Sequence, residues 1–204
     1  NLIARNAIFL GRTVDVGIIN QADALSFGYT GPCLRATGLE YDLRKHAPYW
    51  GYEKYDFEIP TGTNGDTHDR IMVRMAEMVQ SRSIILQALE KMPEGPLNID
   101  DHSIILPPKE KVYHSIEGVM NQFKLIYEGI QVPAGEGYGF GEGANGELGF
   151  FCVSDGTGHP YRMKVRPPCF PIFSSFTHVT KGGMVPDAIA TLGSLNIIAG
   201  ELDR

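Results

Sequence analysis

Residues 65–93 read GDTHDRIMVRMAEMVQSRSIILQALEKMP, the strongest helical pattern in the chain. Asp66 or Thr67 can cap its start, an acidic first turn suits the helix dipole, and Pro93 with Gly95 forbids continuation. Ile71, Met75, Met78, Ile85, Leu86, Leu89 and Met92 recur on one face, with Arg82 the one polar interruption. Met72, Met75 and Met78 are therefore read as core residues of this helix.

On the N-terminal side, Asn20 to Gly28 predicts a short helix capped by Asn20 and ended by Gly28, and GYTGPCLRATG reads as loop. Lys54–Ile59 reads as a short strand bounded by Pro60 and Gly62. Beyond the long helix, IILPPKEKVY is extended. A second helix is expected from Ser115 to Gly129, burying Ile116, Val119, Met120, Phe123, Ile126 and Tyr127. From Gly137 to Arg166 the period becomes two, with turn signals at Asn145-Gly146 and Asp155-Gly156, which predicts a three-stranded meander. Its last strand alternates Tyr161, Met163 and Val165 with a basic stripe of Arg162, Lys164 and Arg166, which could meet an acidic partner subunit or anionic lipid and is read first as a solvated face. Pro186 to about Leu192 predicts a tail helix, followed by an apolar SLNIIAGELDR.

Composition narrows the class. The 204 residues carry a formal charge of −6, with 43% hydrophobic and 21% charged residues, too apolar for disorder and without an apolar run near membrane-spanning length. The acidic balance argues against nucleic acid as a partner. Three scattered cysteines, Cys33, Cys152 and Cys169, write neither a disulfide framework nor a metal motif, and the six histidines lack metal spacing. GEGYGFGEGANGELG lacks the Lys-Ser/Thr of a phosphate loop and is better read as hairpin. Asp66, Asp69 and Arg70 are a candidate carboxylate site, yet they are what a helix start favours. Spacing alone assembles no nucleophile and base, so no catalytic residue and no metal ligand is assigned. The first residue, Asn1, is not Met, and the start looks cut from something longer.

Several phrases carry a family resemblance. YDLRK at 41–45, GDTHDR at 65–70 with Arg74, Glu77-Met78 and Ser81, GELG at 146–149, SDG at 154–156 and the terminal GELDR resemble the C-terminal half of the D-type, 49-kDa subunit family of respiratory complex I. On that resemblance, residues 1–204 form the C-terminal part of a single domain whose N-terminal half lies outside the chain. The implied fold is α+β, predominantly helical with a small antiparallel sheet, part of a nickel–iron hydrogenase large-subunit-like fold.

The same resemblance implies a role for the tail. The hydrogenase tail, D-P-C-x-x-C-x-x-H, binds nickel through its cysteines. Here Asn196, Ile197 and Ile198 stand at its first three positions, Glu201 at the second cysteine and Arg204 at the terminal His. An emptied metal cavity is the implied quinone slot, with Asn196, Ile197, Ile198, Ala199 and Gly200 at or near its wall. Asn196 departs from the family's usual Asp; its amide can donate to a quinone oxygen but carries no proton. Tyr41 replaces a usual Trp, and Cys169 a usual Gly, bringing a Cβ into a turn where positive φ is expected. The implied function is the quinone-site subunit of NADH-quinone oxidoreductase, coupled to proton translocation, with the isolated chain inactive. No cofactor is expected on this chain: quinone is the substrate, and iron–sulfur clusters sit in partner subunits. The implied partners are the iron–sulfur subunit beside the quinone site, a 30-kDa-type subunit and the membrane subunit forming the quinone channel. The implied location is peripheral, on the cytoplasmic face of a bacterial inner membrane or the mitochondrial matrix face. A non-catalytic scaffold or assembly fragment, and a subunit of a related membrane-bound hydrogenase-like complex, remain as alternatives.

Overall fold

A computed structural model describes residues 4–203. Its helices are α1 (Ala7–Thr13), α2 (Gln21–Ser26), α3 (Gly31–Arg35), α4 (Leu43–His46), α5 (Thr67–Glu90), α6 (Lys109–His114) and α7 (Ile116–Phe123). Strands β1 (Gly135–Gly143), β2 (Gly146–Ser154) and β3 (Arg162–Arg166) follow, and then α8 (Cys169–Ser174), α9 (Phe176–Thr180), α10 (Val185–Leu195) and α11 (Ala199–Leu202). The strands pair in the order β1-β2-β3, so the architecture is the expected mostly helical α+β arrangement with one small antiparallel sheet.

The caps explain the boundaries. Asn20 accepts from Asp23 N and Gly28 turns left-handed at φ 79°, as expected for α2. Asp66 accepts from Asp69 N to start α5, and Ser115 accepts from Gly118 N to start α7, which continues as a π-helical turn over Lys124–Glu128. The β1–β2 turn falls on Ala144 and Asn145, one residue before the predicted pair, because Gly146 takes the positive φ (132°).

Several expectations are corrected. GYTGPCLRATG contains α3, a wholly buried short helix whose packing overrides its turn-rich composition. Among the described residues Lys54–Ile59 pairs with no strand: Tyr52–Lys54 is a 3-10 turn, and the amides of Asp56 and Glu58 are taken by Gln87 Oε1 and Gln80 Oε1 of α5. The end of IILPPKEKVY is helical, as α6. The buried face of α5 is Thr67, Arg70 and Val73, while Met72, Met75, Met78, Ile85, Leu86 and Leu89 are exposed. Polar partners for Arg70 lie on the core side, so the polar face turns inward. Ile116, Val119, Met120, Phe123, Ile126 and Tyr127 are likewise exposed, and Gly118 is the buried residue of α7, lying against the carbonyl of Lys111.

Two compact units result. One runs up to Lys91 and adds Phe140–Gly149 and the chain from Arg166; the other holds Met92–Gly139 and Phe150–Val165. The first contains the core of Ile19, Ala24, Tyr29, Cys33, Leu34, Ile172, Val179 and Leu195, onto which Phe27, Leu39, Tyr41, Phe176 and Ile197 pack. The second unit contributes none of the fully buried hydrophobic residues among those described; α6 packs on α7, and Phe123 stacks on Tyr127 at 4.4 Å.

Candidate functional site: a groove along the C-terminal segment

Val185-Pro186 opens α10, and Asp187 closes a capping box by accepting from Met184 N at 3.0 Å. The helix ends at Asn196, whose φ of 55° is left-handed; Asn tolerates that region better than most residues. The chain thereby swings through Ile197 and Ile198 into α11. Between α8, α10 and this segment lies an open groove of ≈ 540 Å³, lined by Phe173, Ile189, Leu192, Gly193, Asn196, Ile197, Ala199 and Leu202. Of the five residues predicted as a pocket wall, Asn196, Ile197 and Ala199 line it. Ile198, 48% exposed, and Gly200 do not. Arg204, which the sequence sets at the terminal metal position, lies outside the described residues.

A compact hydrogen-bond set supports the segment. Asn145, 5% exposed, donates through Nδ2 to Asn196 O (3.2 Å) and Cys169 Sγ (3.4 Å), and its Oδ1 accepts from Asn196 Nδ2 (2.5 Å). Cys169 N donates to Glu201 Oε2 (3.0 Å). One donor of the Asn196 amide is thus engaged by Asn145 and not held out for a ligand. Cys169 is the first residue of α8 with no positive φ, so its Cβ is not strained there. Burial, and next the Glu201 carboxylate, push its thiol up to about 11, which keeps it neutral.

Two buried guanidinium centres complete this unit. Arg35 bonds Glu77 Oε1 (2.6 Å), Glu142 Oε1 (2.9 Å) and Tyr41 O (2.9 Å), while Arg44 grips Asp42 through two bonds (3.0 and 2.6 Å). Burial raises the Glu142 carboxyl against the pull of Arg35. Burial would also raise Asp42, but the bond and charge of Arg44, with Arg35 behind, hold it below the usual range. Arg70, fully buried, donates to Ser194 Oγ, Gly65 O, Gly17 O and Thr67 Oγ1, all neutral.

The other singled-out residues are structural. Asp66 accepts from Asp69 N and Asp15 N, and Asp69 from Thr63 N and Asn64 N, so the cluster with His68 serves loop and cap. Arg166 leaves the expected solvated stripe: it bonds Thr30 Oγ1, Glu147 O and Gly28 O. Sequence reasoning missed Asn145, read only as a turn, and the groove residues Phe173, Ile189, Leu192 and Leu202. No local pattern announces the Asn145–Asn196 contact, made across 51 residues.

Apolar walls with the single Asn196 amide at one edge suit a flat, largely apolar molecule. The family described as respiratory-chain NADH dehydrogenase, 49 Kd subunit, matches residues 1–204, and the chain belongs to it. It is 55% identical over its full length to the combined C/D protein of NADH-quinone oxidoreductase from Bdellovibrio bacteriovorus, covering 36% of that protein. It is 54% identical to a D-type subunit of the same enzyme from Sorangium cellulosum and 51% identical to the one from Myxococcus xanthus, again over its whole length, covering 50% and 49% of them. The chain thus spans about half the length of these D-type relatives, and about a third of the combined C/D protein.

Proposed function

We propose that the chain is part of the quinone-site subunit of a proton-translocating NADH-quinone oxidoreductase, and that the groove along Asn196–Leu202 contributes one wall of the quinone slot. The observation that carries this reading is the groove itself. It is ≈ 540 Å³ and mostly apolar, and it is built on the tail where the family resemblance places the emptied metal cavity. Phe173, Ile189, Leu192 and Ile197 would remove the ring from water, while the Asn196 amide hydrogen not taken by Asn145 limits its orientations. Electrons from iron–sulfur clusters in partner subunits, two per quinone with two protons, would yield the quinol. This chain's part is to hold the ring.

Nickel does not fit the tail. Ile198 offers no donor atom, and the Glu201 carboxylate is a hard ligand already bonded to Cys169 N. The chain alone is then inactive. Its partners are the neighbouring iron–sulfur, 30-kDa-type and membrane subunits, and its place is peripheral at the membrane. Among the described residues no helix is long and apolar enough to cross a membrane.

The test is Ile189→Asn in the complete complex. Ile189 lines the groove at 75% exposure, so the change alters a wall without opening the core. The KM for decylubiquinone in NADH-driven reduction should rise about three- to tenfold, as for a lost apolar contact of roughly 1 kcal/mol. An unchanged KM in a normally assembled complex overturns the reading.

A further inference from the structure

We infer that Asn145 is a positioning residue for the tail wall of the groove: its buried carboxamide fixes Asn196, and through Asn196 sets where Ile197 and Ala199 stand against the ring. The inference rests on the quinone reading above and adds to it the group that holds the wall in register.

The direction of control follows from which side is anchored. Asn145 sits in the β1–β2 turn, and that turn is clamped. A Cβ on Gly31 would lie 2.4 Å from Gly146 Cα, so α3 and the hairpin meet backbone to backbone. Thr30 Oγ1 receives the amide of Glu147 (3.0 Å) and Arg166 Nη1 (3.0 Å), and Arg166 also reaches Glu147 O (2.6 Å). The tail is the more exposed partner, held besides by Ile197 on the core and by Glu201 on Cys169 N. Asn196, Ile198, Ala199 and Gly200 are exposed, and α11 has only four residues. Two reciprocal bonds between residues 51 positions apart therefore tie an exposed wall to a fixed turn.

The pair also accounts for Asn at 196. An Asp there has no N–H for Asn145 Oδ1. If the Asn145 amide rotated to donate to such an Asp, it would abandon Asn196 O and Cys169 Sγ. The carboxamide at 196 is thus the complement of the one at 145.

The experiment uses the complete complex with Asn145→Ala and Asn145→Asp; the second keeps size and acceptor and loses the donor. NADH-driven decylubiquinone reduction is measured against quinone concentration, with NADH–ferricyanide reduction as the quinone-independent control. Loss of the paired bonds should raise KM about three- to tenfold with kcat within about twofold and the ferricyanide rate per complex unchanged. Asn196→Asp should raise KM in the Asn145 background and add nothing further in the Asn145→Ala background. If Ile189→Asn moves KM and neither Asn145 variant does, the positioning role is wrong and the groove reading stands. If none moves it, both fall. Loss of assembly in both Asn145 variants, or a fall in kcat and ferricyanide rate together, would show a purely structural residue and overturn the inference.

Discussion

Arg35 Nη1 on α3 lies 2.9 Å from Glu142 Oε1 on β1, an ion pair between side chains only 2% and 4% exposed and 107 residues apart in sequence. Asp42 stands 3.7 Å from the same guanidinium, and Glu77 2.6 Å, so three carboxylates crowd one cation, with Arg44 relieving Asp42. Like charges at close range cannot all ionise equally easily.

This crowding predicts opposite pH signatures for two neighbours. Glu142 is raised above the ordinary carboxylate range, so the folded state holds its proton more tightly than the unfolded chain. Its contribution is full below the unfolded pKa and is lost as pH rises through the folded one. Asp42 is lowered, so its contribution is present above the unfolded pKa and is lost as pH falls through the folded one. The Tm advantage of wild type over Glu142→Gln should therefore shrink as pH rises out of the carboxylate range. The advantage over Asp42→Asn should shrink as pH falls below it. Melting curves from pH 3 to 8 that run parallel for either pair would refute the assignment for that residue.

Arg70 predicts a large stability cost. Its guanidinium meets two backbone carbonyls and two hydroxyls in a fully buried place, and burial lowers its affinity for the proton. Arg70→Met would keep much of the volume and leave Gly65 O and Gly17 O without that donor, at a cost of about 3 kcal/mol or more. Urea unfolding of the purified chain reads this directly, and a loss below about 1 kcal/mol would show that the carbonyls find other partners.

Arg70 also marks where the sequence misleads. Its helix was legible in full, from the Asp66 cap to the proline stop, because caps and periodicity are local. Which face of that helix is buried was not legible, since the apolar stripe is the exposed one and the inward face is polar. The hairpin signal placed Asn145 in a turn, and nothing within ten residues points to Asn196. Glutamines 80 and 87 likewise replace a strand partner for residues 54–59 from a helix more than twenty residues away. Long-range polar pairing, invisible to pattern reading, is the common cause.

Cys169 and Cys152 should differ in reactivity. Cys169 is wholly buried with its thiol pushed up to about 11, whereas Cys152 on β2 is half-buried. Only the thiolate attacks an alkylating agent at a useful rate. Brief maleimide treatment at pH 7.5 should label Cys152 and spare Cys169 until denaturant is added, as peptide mass spectrometry would report. Equal labelling of the folded chain would mean that the Asn145–Asn196–Glu201 surroundings open readily.

Ile197 and Ile198 offer the sharpest test of where the groove's wall runs. Adjacent and identical, they differ in what they touch. Ile197 lines the groove and packs on the core, while Ile198 caps the start of α11 and lines neither. In the complete complex, Ile198→Met should shift the KM for decylubiquinone by less than about twofold, because its longer side chain enters solvent. Ile197→Met must refit an unbranched side chain into a packed edge; it should shift KM several-fold and cost up to about 1.5 kcal/mol of stability. A larger quinone effect from Ile198 than from Ile197 would place the ring on the far side of the tail, and would move the binding wall from the groove to the exposed Ile198–Gly200 edge.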